Sequence, residues 1–186
     1  GNGKLVVFKD GAVKSTTALG FDGLAVAFSP DDTTLYVGGK NKKLVSFICN
    51  VGAGTVTKTD FAVDIYDHVK FIAVHPEGKV VCVVDQRKSI TFVDVAGAEV
   101  LNSGDPLRYH DTTIRSLSYS PNGSKLVTSS NEGIIYVWYN GHGGHRLKIW
   151  GHSQACSHVG FLDETTVVSV GEDLVMKTWT IPDVWA

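Results

Sequence analysis

Apolar residues in this chain come in short, dense runs, each closed by a cluster of turn formers. Residues 24–29 (LAVAFS), 35–38 (LYVG) and 44–48 (LVSFI) show the pattern, with Pro-Asp-Asp and Lys-Asn-Lys-Lys lying between them. Such runs predict β-strands. Where the apolar character is nearly unbroken, as in LAVAF at 24–28 and KVVCVV at 79–84, they predict strands covered on both faces. The tetrapeptides Ser29-Pro30-Asp31-Asp32, His75-Pro76-Glu77-Gly78 and Ser120-Pro121-Asn122-Gly123 put proline where φ near −65° starts a turn and a polar residue or glycine where it closes. They predict hairpins between the first and second strands of a recurring unit.

The unit repeats. Residues 24–47, 69–92, 114–138 and 156–179 align, with Phe28, Val74, Tyr119 and Phe161 spaced by 46, 45 and 42 residues and Phe47, Phe92, Trp138 and Trp179 by 45, 46 and 41. A period in the low to middle forties built from short strands predicts an all-β fold of β-propeller blades. The alignment gives repeats at about 19–48, 65–95, 110–139 and 152–181. Residues 1–17 read as the end of a preceding blade, GNGKLVVFK matching a third strand. A fourth strand per unit must lie between repeats, and residues 56–61, then 99–101 or 106–108, then 146–150 are the candidates. About four blades over residues 1–186 predict a partial propeller, since closed rings hold roughly 4 to 8 blades and this repeat type about seven. Its open ends predict pairing with another polypeptide, and two such chains completing one another as a homodimer.

Composition narrows the function class. Seventeen basic against nineteen acidic residues give a net charge of −2, with no like-charge run longer than Lys42-Lys43, so the footprint of a nucleic-acid binder is missing. Cys49, Cys82 and Cys156 are odd in number and sit in apolar runs, as buried hydrophobes of a reducing compartment do. No apolar stretch approaches the roughly 18 to 20 residues that span a bilayer, and no leader opens the chain; the expectation is a cytoplasmic protein away from membranes. His142, His145, His152 and His158 with Cys156 nearby could suggest zinc, but no CxxC-type pair supplies a closed tetrahedral site, so no metal is expected. Gly52-Ala53-Gly54 and residues 141–144 sit between strands rather than before a helix and read as flexible turns, not phosphate cradles. Lys40-Asn41-Lys42-Lys43 reads as a solvated hairpin tip.

Two repeats carry a further spacing. His152 is followed 17 residues later by Ser169, 21 later by Asp173, and six beyond that by Trp179; His110, Thr128, Glu132 and Trp138 repeat this at 18, 22 and 6. A strand Trp and a His each need a polar partner when buried, and a chain ending in a carboxylate satisfies every member. A Ser-His-acid set can also be a catalytic triad, yet a hydroxyl inside a strand lacks the exposure and oxyanion hole of a nucleophile, so no enzyme activity is expected. The first two repeats align Leu19, Val37, Asn41, Phe47 and Ile65, Cys82, Gln86, Phe92 at these places.

This fingerprint resembles the WD40 repeat family, in which such residues form a structural relay. The stretches HVGFLDETTVVSVGEDLVMKTWTI at 158–181 and IIYVW at 134–138, followed by RLKIWGH, resemble the C-terminal part of the actin-interacting protein 1 family, two-propeller WD-repeat cofactors of cofilin, which implies the later part of the second propeller. The sequence departs from the WD40 pattern where Tyr139 and Thr180 follow the tryptophans and Glu132 stands for the usual aspartate. The resemblance implies a non-enzymatic interaction module that promotes cofilin-dependent disassembly of actin filaments, in the cytoplasm and cytoskeleton, without a cofactor. It also implies a binding upper face formed by residues before the relay acid and at the start of the first strand: Lys40, Asp85, Asn131 and Glu172, with Asp22, His68, Lys70, Thr113, Arg115 and Ser157. The alternative is a WD-repeat scaffold subunit of an unrelated multiprotein complex; a hydrolase on an all-β fold is the third reading.

Overall fold

The computed structural model describes residues 3–139 and 145–182. The histidine at 142 and the glycine-rich turn at 141–144 lie outside the described residues. Among the described residues there is no helix; seventeen strands form five antiparallel sheets. Strands β1 (Lys4–Lys9) and β2 (Ala12–Ala18) make a two-stranded hairpin. Blade 1 follows as β3 (Gly23–Phe28), β4 (Thr34–Gly39), β5 (Lys43–Asn50) and β6 (Thr55–Asp64). Blade 2 is β7 (Val69–Val74), β8 (Val80–Asp85), β9 (Ile90–Asp94) and the short β10 (Glu99–Val100). Blade 3 is β11 (Ile114–Tyr119), β12 (Lys125–Ser130), β13 (Ile134–Tyr139) and β14 (Arg146–Trp150). Blade 4 has three described strands, β15 (Cys156–Phe161), β16 (Thr166–Gly171) and β17 (Met176–Thr180). The fold is that of β-propeller blades, stacked in sequence order, and the described residues do not close a ring.

Strand β8 shows why the apolar runs are continuous. Side chains alternate between faces along a strand, and here both faces are covered. Val81 and Val83 pack with Tyr36 and Leu44 of blade 1, while Cys82 and Val84 pack with Leu126, Tyr136 and Trp138 of blade 3. Val127, Ile135 and Val137 then turn the other way, toward Cys156, Val159 and Val167 of blade 4. Each fully buried side chain of this size contributes on the order of 1.5–3 kcal/mol, so the interfaces between blades hold the stack together.

Turn chemistry is repeated as well. The Thr34 amide donates to Ser29 Oγ at 2.9 Å and the Lys125 amide to Ser120 Oγ at 3.0 Å, locking the first hairpin of blades 1 and 3. Asp32, Gly78 and Gly123 close their turns at φ of 57°, 73° and 76°, the left-handed region that aspartate and glycine tolerate best. In blade 4 the Asp163 carboxylate does the same work, accepting the amides of Thr165 and Thr166 at 2.8 and 2.7 Å.

The outer strand of blade 2 is split. Glu99 and Val100 pair with β9, Leu107 bridges to Ile90, and the Asn102 side chain fills the gap between. Its Oδ1 accepts the Phe92 amide at 2.9 Å and its Nδ2 donates to the Ile90 carbonyl at 3.0 Å. Both sequence candidates for this strand therefore contribute to it. The first strand of every blade carries a register shift, at Gly23/Ala25, Val69/Phe71, Ile114/Ser116 and Cys156/His158. Such bulges re-aim the extra residue.

Gly38 marks the tightest approach between blades 1 and 2. A Cβ there would lie 2.4 Å from Val69 Cγ1, and Val69 is fully buried. Gly38→Ala is expected to destabilise the chain by about 1–3 kcal/mol through overpacking. A lower urea midpoint with an unchanged m-value checks this; an unchanged midpoint refutes it.

Candidate functional site

In blade 4 the four relay residues are brought together. The Trp179 indole donates to Ser169 Oγ at 2.9 Å, Ser169 Oγ meets His152 Nε2 at 2.8 Å, and His152 Nδ1 meets Asp173 Oδ1 at 2.8 Å. The Asp173 carboxylate can only accept, so the Nδ1 proton goes to it, and Nε2 of the neutral ring then accepts the Ser169 hydroxyl, whose oxygen accepts the Trp179 indole N–H. Asp173 also accepts the amides of Ser153 at 3.1 Å and Val175 at 3.3 Å. Burial acts to raise its pKa, but the His152 hydrogen bond and these two amides outweigh it and hold the carboxyl below its usual range. Ser169 is only 1% exposed, and its hydroxyl is engaged by Trp179 on one side and His152 on the other. The set pins the loop before β15 to the β16–β17 turn.

Blade 3 builds the same chain but leaves it open. Trp138 Nε1 donates to Thr128 Oγ1 at 3.0 Å and Thr128 meets His110 Nε2 at 2.8 Å. His110 Nδ1 is 4.0 Å from Glu132 Oε1, too far for a hydrogen bond, and is buried without a partner. The extra methylene of Glu132 carries its carboxylate toward Ser130 Oγ, at 3.3 Å, instead. Burial, reinforced by the charges of Lys148 and Lys88, brings the His110 pKa down to about 3.

In blade 2 the alignment by aromatic residues is one residue out. Val81 pairs with Val93 as Leu126 pairs with Trp138 and Val167 with Trp179. Val93 is thus the counterpart of the tryptophans, and Val83 and Arg87, not Cys82 and Gln86, stand at the hydroxyl and acid positions. A one-residue slip moves a side chain to the opposite face: Phe92 packs toward blade 3 and Val93 toward blade 1. The same slip removes Asp85 from the upper face. Asp85 is 2% exposed, its Oδ1 accepting the amides of Arg87 and Ser89 at 2.8 and 3.0 Å, and burial pushes its pKa up. The exposed residue at that place is Gln86. Its amide donates to the His68 carbonyl, just as Lys40, Asn131 and Glu172 donate to the carbonyls of Asp22, Thr113 and Ala155.

These repeated bonds put the remaining upper-face residues along one edge of the stack. Lys70, Arg115 and Ser157 are the bulge residues of their blades, a geometry that sequence spacing alone did not reveal. Thr113 and Asn131 are exposed beside them. The edge is laced by two ion pairs and a hydrogen bond: Lys40 to Asp22 at 2.9 Å, Arg115 of blade 3 to Glu172 of blade 4 at 3.0 Å, and His68 Nδ1 to Gln86 Oε1 at 3.3 Å. Asp67 joins blades 1 and 2 by meeting Lys42 at 3.6 Å and Arg87 at 3.1 Å; sequence reading missed it and Arg87. The Lys40 hydrogen bond holds the Asp22 pKa low, and the His68 amide does so for Asp67. Among the described residues no group of three His, Cys, Asp or Glu side chains could hold a metal ion.

Comparison with known proteins agrees with this geometry. The family described as WD domain, G-beta repeat matches residues 103–139. The 66 kDa stress protein of Physarum polycephalum is 29% identical over 178 residues, covering 95% of this chain and 29% of that protein. Actin-interacting protein 1-2 of Arabidopsis thaliana is 27% identical with the same coverage, and actin-interacting protein 1 of Caenorhabditis elegans is 26% identical over 88% of this chain and 27% of its own length. The chain spans less than a third of the length of these relatives. The solved structure of U3-55K superposes with a TM-score of 0.75 at 17% identity, covering 97% of this chain and 52% of that one, a likeness of fold.

Two outcomes follow from the relays. Trp179→Phe removes the indole donor from Ser169 and is expected to cost about 1 to 3 kcal/mol, read as a lower denaturant midpoint; an unchanged midpoint would remove the relay's role in stability. The second concerns acid. Below pH 6.5 an unfolded His110 takes up a proton that the folded chain refuses down to about 3. The unfolded state then binds more protons, so stability falls as pH falls, by up to about 1.4 kcal/mol per unit from this group. Glu132→Asp, by closing the gap to Nδ1, is expected to flatten that slope in urea titrations between pH 6.5 and 4; an identical slope overturns the assignment.

Proposed function

Because the chain is a WD40-repeat protein resembling actin-interacting protein 1, we propose that it is a non-enzymatic interaction module acting with cofilin in the disassembly of actin filaments, in the cytoplasm and cytoskeleton. The observation that carries this reading is the similarity to the Arabidopsis actin-interacting protein over 95% of the chain. The upper edge supports it physically. Lys70 and Arg115 stand at the bulges of their first strands, and exposed ion pairs such as Arg115–Glu172 are worth only about 0–1 kcal/mol each. A partner carrying complementary charge can exchange them at little cost.

The test is sedimentation of the protein containing this chain with actin filaments, with and without cofilin. More protein should pellet when cofilin is present, and reversal of charge at Lys70 and Arg115 should reduce that gain. Protein that ignores cofilin-decorated filaments would defeat the actin reading and leave a WD-repeat scaffold of another complex in its place.

A further inference from the structure

Most charged side chains at the upper edge are paired, but one group of cations on the outer rim is not. Lys88, Arg108, Arg146 and Lys148 gather around the segment that runs from blade 2 into blade 3, and among the described residues none makes an ion pair with a carboxylate. Lys88 donates to the Asp111 carbonyl at 2.8 Å and Arg108 to Ser89 Oγ at 2.8 Å. Arg146 lies 3.6 Å above the Tyr109 ring, and Lys148 lies 4.4 Å from the Trp150 ring. In a chain of net charge −2, this is a basic surface held in place by aromatic rings.

The backbone at this place is also open. Among the described residues, strand β14 is the outermost strand of blade 3 and pairs only with β13. Its Leu147 and Ile149 pack into the core between blades 3 and 4, which leaves Arg146, Lys148 and Trp150 alternating on the other face. Trp150 is 76% exposed and Tyr109 41%. Cations on an edge strand ordinarily discourage pairing, but an exposed indole on the same edge has the reverse effect. The combination repels basic and admits acidic strands, a selection by charge rather than a plain block.

We propose that the outer edge of β14, with Arg146, Lys148 and Trp150 on one face and Tyr109 beside them, docks an acidic segment of a partner protein in extended conformation, added as a further strand to blade 3. Alternate side chains of an added strand repeat every two residues, about 6.6 Å, the same interval that separates Arg146 from Lys148 and Lys148 from Trp150. An Asp or Glu, a second acid two residues away and an apolar residue two beyond it would therefore meet the guanidinium, the ammonium and the indole as cross-strand pairs. This surface lies on the rim and is independent of the upper edge and of the actin reading.

The test titrates the 186-residue chain into a fluorescein-labelled peptide with acids at alternate positions and one leucine, followed by anisotropy. Binding is expected, weakened about tenfold by Arg146→Glu combined with Lys148→Glu, an energy of about 1.4 kcal/mol. Two peptides N-methylated on alternate amides, one for each register, are tested on the unaltered chain, and at least one should lose binding because its backbone can no longer pair. Binding by both methylated peptides as tight as by the unmodified one, undiminished binding by the charge-reversed variant, or an oligothymidylate of the same charge binding where the peptide does not would each overturn the proposal.

Discussion

Everything in this structure depends on covering both faces of each sheet. A lone four-stranded blade has two apolar faces and cannot bury either by itself; only stacking removes them from water. Val81 and Val83 turn one way and Cys82 and Val84 the other, so β8 serves two interfaces at once. Close approaches such as Gly38 against Val69 show how little slack remains. The polar relays are secondary to this packing: blade 1 places Val37 and Phe47 where blade 4 has Ser169 and Trp179, and still packs.

The relay is a local solution to a local problem. Once a tryptophan and a histidine enter a buried face, their N–H groups need acceptors, and an unmet buried donor costs about 1–3 kcal/mol. Blade 4 meets the whole requirement, and Asp173 completes it with two amides besides. Blade 3 meets it up to His110 Nε2 and stops, because Glu132 turns to Ser130. A buried histidine with one unpartnered nitrogen survives as the neutral form, at the expense of tolerance to acid. The same residue types at nearly the same spacing thus give one closed and one open network, decided by a single methylene.

The repeat, the strand chemistry and the turns were legible because apolar continuity and the Pro-containing turns are written directly in the residues. What was not legible was parity. Phe92 looks like the counterpart of Trp138 because both are aromatic, yet strand register assigns that role to Val93, and with it moves Asp85 from the surface to a buried turn. Nothing in a sequence of near-continuous valines distinguishes one face from the other, since both faces are apolar. The bulges at Lys70, Arg115 and Ser157 are equally silent, being a backbone event that any residue can occupy. Of the site residues, the relay was readable from spacing, whereas the cross-blade contacts of Asp67 and Arg87 depend on how neighbouring blades are juxtaposed.

The two ends of the stack expose what the middle hides. Val26 and Phe28 of β3 are 57% and 54% exposed, and Leu162 and Met176 of blade 4 are 70% and 69% exposed. Residues like these are covered elsewhere in the structure by the next blade, so another blade is the chemistry they fit. The rim of β14 differs in kind. Its apolar side chains are already buried against blade 4, and what it offers is unpaired backbone and unpaired positive charge. The end faces therefore select for shape and apolar area, the rim for acidity and extended conformation, and partners of the two kinds would not compete.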